Sequence, residues 1–65
     1  MQVNSSHISD VEWEGGVLTV SFAKGGQYRY YDVPEGIFRE LVSAPSVGKF
    51  FAANVEGTFE SEKVG

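Results

Sequence analysis

The sequence predicts an α+β fold, in which a three-stranded antiparallel β-meander is followed by two short α-helices packed on one face. Alternating apolar and polar residues separated by glycine pairs occupy the first half of the chain, and apolar residues recur at helical spacing in the second half. The chain has 65 residues and no cysteine, which leaves room for one domain with a core of aromatic and aliphatic side chains.

The first half of the chain predicts the strands. In the second of them, Leu18, Val20 and Phe22 alternate with polar residues and therefore share one face. The pairs Gly15-Gly16 and Gly25-Gly26 reach positive φ without a Cβ penalty and suit tight turns. The three strands are expected over about residues 8–14, 17–23 and 27–32.

The second half predicts two helices, each too short to be stable alone in water, so both must pack on the sheet. Pro34 favours the start of the first helix, which ends at Ala44-Pro45 because the residue before a proline avoids helical dihedrals. Ser46 is a good N-cap for the second helix. The buried side of the first helix is formed by Ile37, Phe38, Leu41 and Val42.

The domain is expected to span residues 1–59, followed by a flexible C-terminal tail over residues 60–65. The longest apolar run is far shorter than the roughly 20 residues of a membrane span. The N-terminus lacks the basic and apolar regions of a signal peptide. We therefore expect a cytoplasmic protein with no membrane partner.

The charge balance is acidic, with nine acidic residues against five basic ones and a formal net charge of −4. Binding to nucleic acid draws mainly on lysine and arginine, which neutralise phosphates. The composition thus disfavours a surface that binds the phosphate backbone of a nucleic acid, although Arg29, Arg39 and Lys49 could still cluster locally.

Catalytic patterns are missing from the sequence. His7 is the only histidine, and a metal site needs roughly four convergent ligands that the carboxylates do not supply at matching spacing. Ser5 and Ser6 lack the motif that presents a nucleophilic serine. Each glycine pair lies between two strands, whereas a phosphate loop joins a strand to a helix. We expect no enzymatic activity, no metal and no cofactor.

The tyrosines of the third strand allow two interpretations. Alternation places Tyr28 and Tyr30 on one face, and Tyr31 with Arg29 on the other. A chain this small needs its aromatic rings in the core, which favours burial of Tyr28 and Tyr30. The alternative is that an exposed ring beside Arg29 stacks on a base or another planar ligand.

Several motifs together resemble one known family. They are Val3-x-Ser5-Ser6-x-Ile8, Leu18-x-Val20-x-Phe22-x-x-Gly25, Tyr28-x-Tyr30-x-x-Val33-Pro34, Phe38 with Leu41, and Ala44-x-Ser46-x-Gly48-x-x-Phe51. Over about residues 3–59 the chain resembles the KTSC domain, which is named from the C-terminus of some lysyl-tRNA synthetases and also occurs alone in bacterial and phage proteins.

The resemblance implies two kinds of function. Attachment to a tRNA enzyme implies an RNA-binding role, but Asn54-Val55-Glu56 places an acid where relatives often carry a basic residue. Together with the charge of −4, this disfavours RNA. Copies that stand alone in phages imply small proteins that bind a host molecule or a host protein.

The leading hypothesis is a small non-catalytic binding module of phage or bacterial origin that holds a small polar, planar ligand. A nucleotide-derived molecule is one candidate. One alternative is an RNA-binding accessory domain, and another is a protein-interaction or inhibitor module that uses Phe50 or an open strand edge. Such edges also favour a homo-oligomer. The expected ligand-binding residues are Ser5, Ser6, Tyr28, Arg29, Tyr30, Ser46 and Lys49.

Overall fold

The computed structural model describes every residue from Met1 to Gly65 and confirms the predicted α+β class, with one strand more than predicted. All strands belong to one antiparallel sheet, in the order β1-β2-β3-β4. No helix has the length and apolar character to cross a membrane. The elements are β1 Ile8–Glu14, β2 Val17–Phe22, β3 Gln27–Tyr30, α1 Glu35–Ser43, α2 Val47–Asn54 and β4 Ser61–Lys63.

The strand count of three is corrected by β4, which lies in the segment expected to be a flexible tail. It pairs with β3, so that Glu62 lies opposite Arg29. All three of its residues are exposed. The flanking main chain adds hydrogen bonds, since the N–H of Tyr31 donates to the carbonyl of Glu60 at 2.9 Å. An exposed strand needs no apolar residues, so the hydrophobic pattern did not reveal it.

The strand register separates two faces of the sheet. Val11 lies opposite Val20, which lies opposite Tyr28, and these side chains point towards the helices. The buried core consists of Ile8, Val11, Leu18, Val20, Tyr30, Val33, Leu41, Val47, Phe51 and Val55. We call the opposite, uncovered side the outer sheet face. Its side chains come from Asp10, Glu12, Glu14, Val17, Thr19, Ser21, Gln27, Arg29, Tyr31 and Glu62.

The predicted turns and helix boundaries are confirmed closely. Gly15 and Gly16 have φ values of 55° and 90° in the β1–β2 turn, where an L side chain would be strained. Pro34 immediately precedes α1 in an extended conformation, and Ala44 follows its last residue. At the start of α2, the hydroxyl oxygen of Ser46 accepts a hydrogen bond from the N–H of Lys49 at 3.3 Å.

Trp13 ties the start of α1 to the sheet. Its indole Nε1 donates to the carbonyl oxygen of Val33 at 2.8 Å, just before the helix. Its ring stacks on that of Phe38, with 6.3 Å between the centroids and 19° between the planes. The N–H of Val33 in turn donates to the carbonyl of Gly16 at 2.8 Å. This connection therefore has one anchor on β1 and another on the β1–β2 turn.

Candidate binding site

A shallow depression lies where the chain preceding β1 meets the first turn of α2. It has a volume of about 480 Å³ and is open to solvent. We call it the α2 depression, and it is lined by Asn4, Ser5, Ser6, His7, Pro45, Ser46, Val47, Gly48, Lys49 and Ala52. Two sequence motifs that lie about 40 residues apart, the serine pair and Ala44-x-Ser46-x-Gly48, thus converge on one surface feature.

Two of the predicted serines shape this depression through backbone hydrogen bonds. The hydroxyl oxygen of Ser5 accepts from the N–H of His7 at 3.2 Å and from that of Ile8 at 3.3 Å, which turns the chain into β1. Ser46 caps α2 in a similar way. Both oxygens therefore act as acceptors towards the backbone, and each O–H proton is still available for donation to another group.

Gly48 lies in the first turn of α2 with ordinary helical dihedrals, and strain does not require a glycine there. A Cβ built on it would lie 3.5 Å from the Ser5 hydroxyl oxygen and 3.9 Å from Cδ2 of His7, which are ordinary contact distances. Alanine would therefore fit while occupying space in the depression. The prediction of site residues omitted both Gly48 and His7, although Gly48 stands in a quoted motif.

The remaining predicted site residues lie elsewhere. Tyr30 is buried, and its ring makes an edge-to-face contact with that of Phe51, with 5.4 Å between the centroids. Tyr28 is half-buried against Phe22, with a centroid distance of 5.6 Å. Arg29 points to the outer sheet face. The structure thus brings together Ser5, Ser6, Ser46 and Lys49, and it separates them from Arg29 and the two tyrosines.

A second, smaller depression of about 320 Å³ lies on the outer sheet face. Tyr31 at its rim donates its hydroxyl proton to a carboxylate oxygen of Glu62 at 2.8 Å. This hydrogen bond raises the pKa of Tyr31 above its ordinary value, and the guanidinium of Arg29 opposes the rise. The lining residues are Glu12, Trp13, Glu14, Val17, Thr19, Arg29 and Tyr31.

Three further points concern metal binding, Phe50 and the formation of an oligomer. No group of three or more histidine or acidic side chains is arranged to hold a metal ion. Phe50 is half-buried and packs against the core, so it presents no exposed aromatic patch. The large apolar residues that are exposed are Met1 and Val64. Homo-oligomer formation stays a prediction.

Burial of Tyr30 predicts a loss of stability in alkali. Desolvation raises the pKa of its phenol, and the charge of Glu56 adds to the effect. Because the pKa of Tyr30 is raised in the folded state, its neutral phenol contributes fully to the stability of the fold below about pH 10. This contribution is lost as the pH rises further. We expect the free energy of unfolding, measured with urea, to fall less between pH 9 and 11 in Tyr30→Phe than in the wild type. An equal fall in both proteins would contradict this assignment.

The fold and the depression define a small α+β domain with a polar depression on its surface. Comparison with protein families then gives a specific assignment: the KTSC domain family model matches residues 4–59. The chain belongs to the KTSC domain family.

Similar proteins fall into two kinds. The chain is 32% identical over 66 residues to a lysine–tRNA ligase of Trichormus variabilis and 36% identical over 47 residues to that of Nostoc punctiforme. It spans only 12% and 8% of their lengths. The crystal structure of a KTSC domain protein from Yersinia pestis, 33% identical, covers the whole chain with a TM-score of 0.95, and 94% of that protein is aligned.

Proposed function

We propose that this chain is a small non-catalytic binding module, and that its α2 depression holds a polar ligand with an oxyanion group, such as a nucleotide-derived molecule. The observation that carries the proposal is the convergence of two polar family motifs on a depression whose ten lining residues include no acid. In a chain with nine acidic and five basic residues, that composition favours a ligand that accepts hydrogen bonds.

The lining groups are mainly hydrogen-bond donors. Lys49 supplies an ammonium group, and the hydroxyls of Ser5 and Ser46 keep their protons while their oxygens accept from the backbone. The first turn of a helix also leaves backbone N–H groups without intrahelical partners. The hydroxyl oxygen of Ser46 accepts a hydrogen bond from the N–H of Lys49, and the N–H groups of Val47 and Gly48 lie in the same turn. This set of donors suits a phosphate or a carboxylate.

The proposal excludes catalysis because the depression combines serines and one imidazole with no carboxylate. A nucleophilic serine needs a base that is itself oriented by a third group. The oxygen of Ser5 is instead directed at two backbone N–H groups. We therefore assign the serines to shaping the depression and to contacting the ligand.

The similarity to lysine–tRNA ligases makes RNA the competing ligand. RNA binding would draw on cations such as Arg29 and Lys49, but Arg29 lies on the outer sheet face and Lys49 lies in the first turn of α2. The two cations do not line a common surface, and the outer sheet face that holds Arg29 also carries four carboxylates. This arrangement favours a small ligand over an extended RNA strand.

The proposal is tested by thermal unfolding of the full chain with a panel of nucleotides and with the matching nucleosides. A nucleotide at about 100 times its Kd stabilises the folded state by about 2.7 kcal/mol. In a domain of this size, that stabilisation raises Tm by roughly 10 °C or more. We expect the nucleoside to give no comparable rise, because it lacks the oxyanion.

Four variants make the test specific. Lys49→Ala is expected to weaken binding about tenfold, whereas Lys24→Ala removes the same charge from the exposed β2–β3 turn and should bind normally. Gly48→Ala should keep its stability yet bind less, because its methyl group enters the depression. Absence of any shift across the panel would overturn the proposal, and RNA retention lost in both Lys49→Ala and Arg29→Ala would establish the alternative.

A further inference from the structure

The outer sheet face carries a second unexplained arrangement of groups, independent of the α2 depression. Both helices pack on the opposite side, so that no element of the chain covers this face. A row of side chains crosses all four strands here, running from Glu12 through Thr19 and Arg29 to Glu62. The shallow depression between β1 and β3 lies along this row.

The charges of this face are unbalanced. Its carboxylates are those of Asp10, Glu12, Glu14 and Glu62, and its cations are the guanidinium of Arg29 and the N-terminal ammonium of Met1, which leaves an excess of negative charge. The ion pairs of the structure join the N-terminal ammonium of Met1 to Asp10 and Glu12, and Arg39 to Glu35. Glu14, Glu62 and Arg29 take part in none of them. The face is thus complementary to a cationic partner, and it repels the phosphates of a nucleic acid.

The depression on this face combines an aromatic ring, an apolar side chain and carboxylates. The ring of Tyr31 is held at its rim by the hydrogen bond from its hydroxyl to Glu62. Val17 lines the depression together with the carboxylates of Glu12 and Glu14. A guanidinium group stacks on an aromatic ring and binds a carboxylate through two parallel hydrogen bonds, whereas an ammonium group does so less well. Apolar lining suits the methylene groups of an arginine side chain.

We infer that the outer sheet face docks an extended, arginine-bearing segment of a partner protein. An arginine of that segment stacks on Tyr31 and pairs with Glu14, while Glu12, which is paired with the N-terminal ammonium of Met1, adds negative charge beside it. Arg29 repels a guanidinium from the β3 side of the depression and so confines the partner's arginine to the side of β1.

The test is an NMR titration of the full chain with the peptide Gly-Arg-Gly-Arg-Gly-Arg and with its lysine counterpart. We expect saturable shifts of the backbone amides around Thr19 and Tyr31, and an affinity for the arginine peptide several times that for the lysine peptide. The double variant Glu12→Gln with Glu14→Gln should weaken binding about tenfold. The double variant Glu40→Gln with Glu56→Gln removes the same charge from exposed sites outside this face and should bind normally.

Tyr31→Leu separates stacking from charge. It should reduce affinity for the arginine peptide and leave that for the lysine peptide nearly unchanged, with folding of each variant checked by its amide spectrum. The inference would be overturned if the two double variants weakened binding equally. It would also be overturned if the shifts spread over the whole acidic surface, or if no saturable shift appeared on the outer sheet face. Binding of single-stranded RNA at this face would overturn it as well.

Discussion

Phe51→Ala is expected to remove a large part of the free energy of unfolding. Replacing a buried phenylalanine with alanine costs about 3–5 kcal/mol. A chain of 65 residues has a total stability of roughly 3–10 kcal/mol at about 0.05–0.15 kcal/mol per residue. Phe51 is 4% exposed. Its edge-to-face contacts with Phe22 and Tyr30 connect α2 to β2 and β3.

The neighbouring phenylalanine provides the matched control. Phe50 is half-buried, so Phe50→Ala removes the same atoms from a site with fewer buried contacts and should cost clearly less. Urea unfolding followed by circular dichroism measures both variants. If the two changes cost the same, α2 does not use Phe51 as its main contact with the sheet, and the described packing is wrong.

Trp13→Ala is expected to lower the free energy of unfolding by about 3 kcal/mol. The change removes the stacking on Phe38 and leaves the carbonyl oxygen of Val33 without its indole donor. Because Trp13 is the only tryptophan, its replacement also removes the fluorescence signal, and circular dichroism must follow unfolding.

Trp13→Phe divides this effect into its two parts. A phenylalanine keeps an aromatic ring against Phe38 but donates no hydrogen bond, so its expected cost is about 1 kcal/mol. A full loss in Trp13→Phe would mean that the hydrogen bond to Val33 carries the whole effect. No loss in either variant would show that the start of α1 does not depend on β1.

The two proposed sites can be tested separately because they share no residue. Lys49 and Gly48 line the α2 depression, whereas Glu12, Glu14 and Tyr31 belong to the outer sheet face. A variant at one site should therefore leave binding at the other unchanged, since residues without shared partners act almost additively.

Much of the fold follows from local patterns. Leu18, Val20 and Phe22 alternate in the sequence and share the helix-covered face of the sheet. Ser46 was predicted as an N-cap and has that role. These features depend on the side-chain period of a strand and on the hydrogen-bonding capacity of one residue type, both of which act over a few residues. The pattern failed at β4, whose exposed residues pair mainly through the backbone.

The candidate site was predicted only in part. Ser5, Ser6, Ser46 and Lys49 were singled out and do converge, but Tyr28, Arg29 and Tyr30 were grouped with them and lie elsewhere. Strand alternation already placed Arg29 on the face opposite the two tyrosines. The predicted site grouped residues by their chemical type, which does not show how far apart their side chains lie. Side chains on opposite faces of a sheet cannot meet.

The sequence by itself determined the fold class, the glycine turns, the two helices and the family, because periodicity, turn chemistry and motifs are properties of neighbouring residues. Only the tertiary structure decided that the serines before β1 meet the first turn of α2, that a fourth strand pairs with β3, and that four carboxylates share the outer sheet face with Arg29. These facts depend on the packing of distant segments and on strand register, and neither is encoded in any one stretch of the chain.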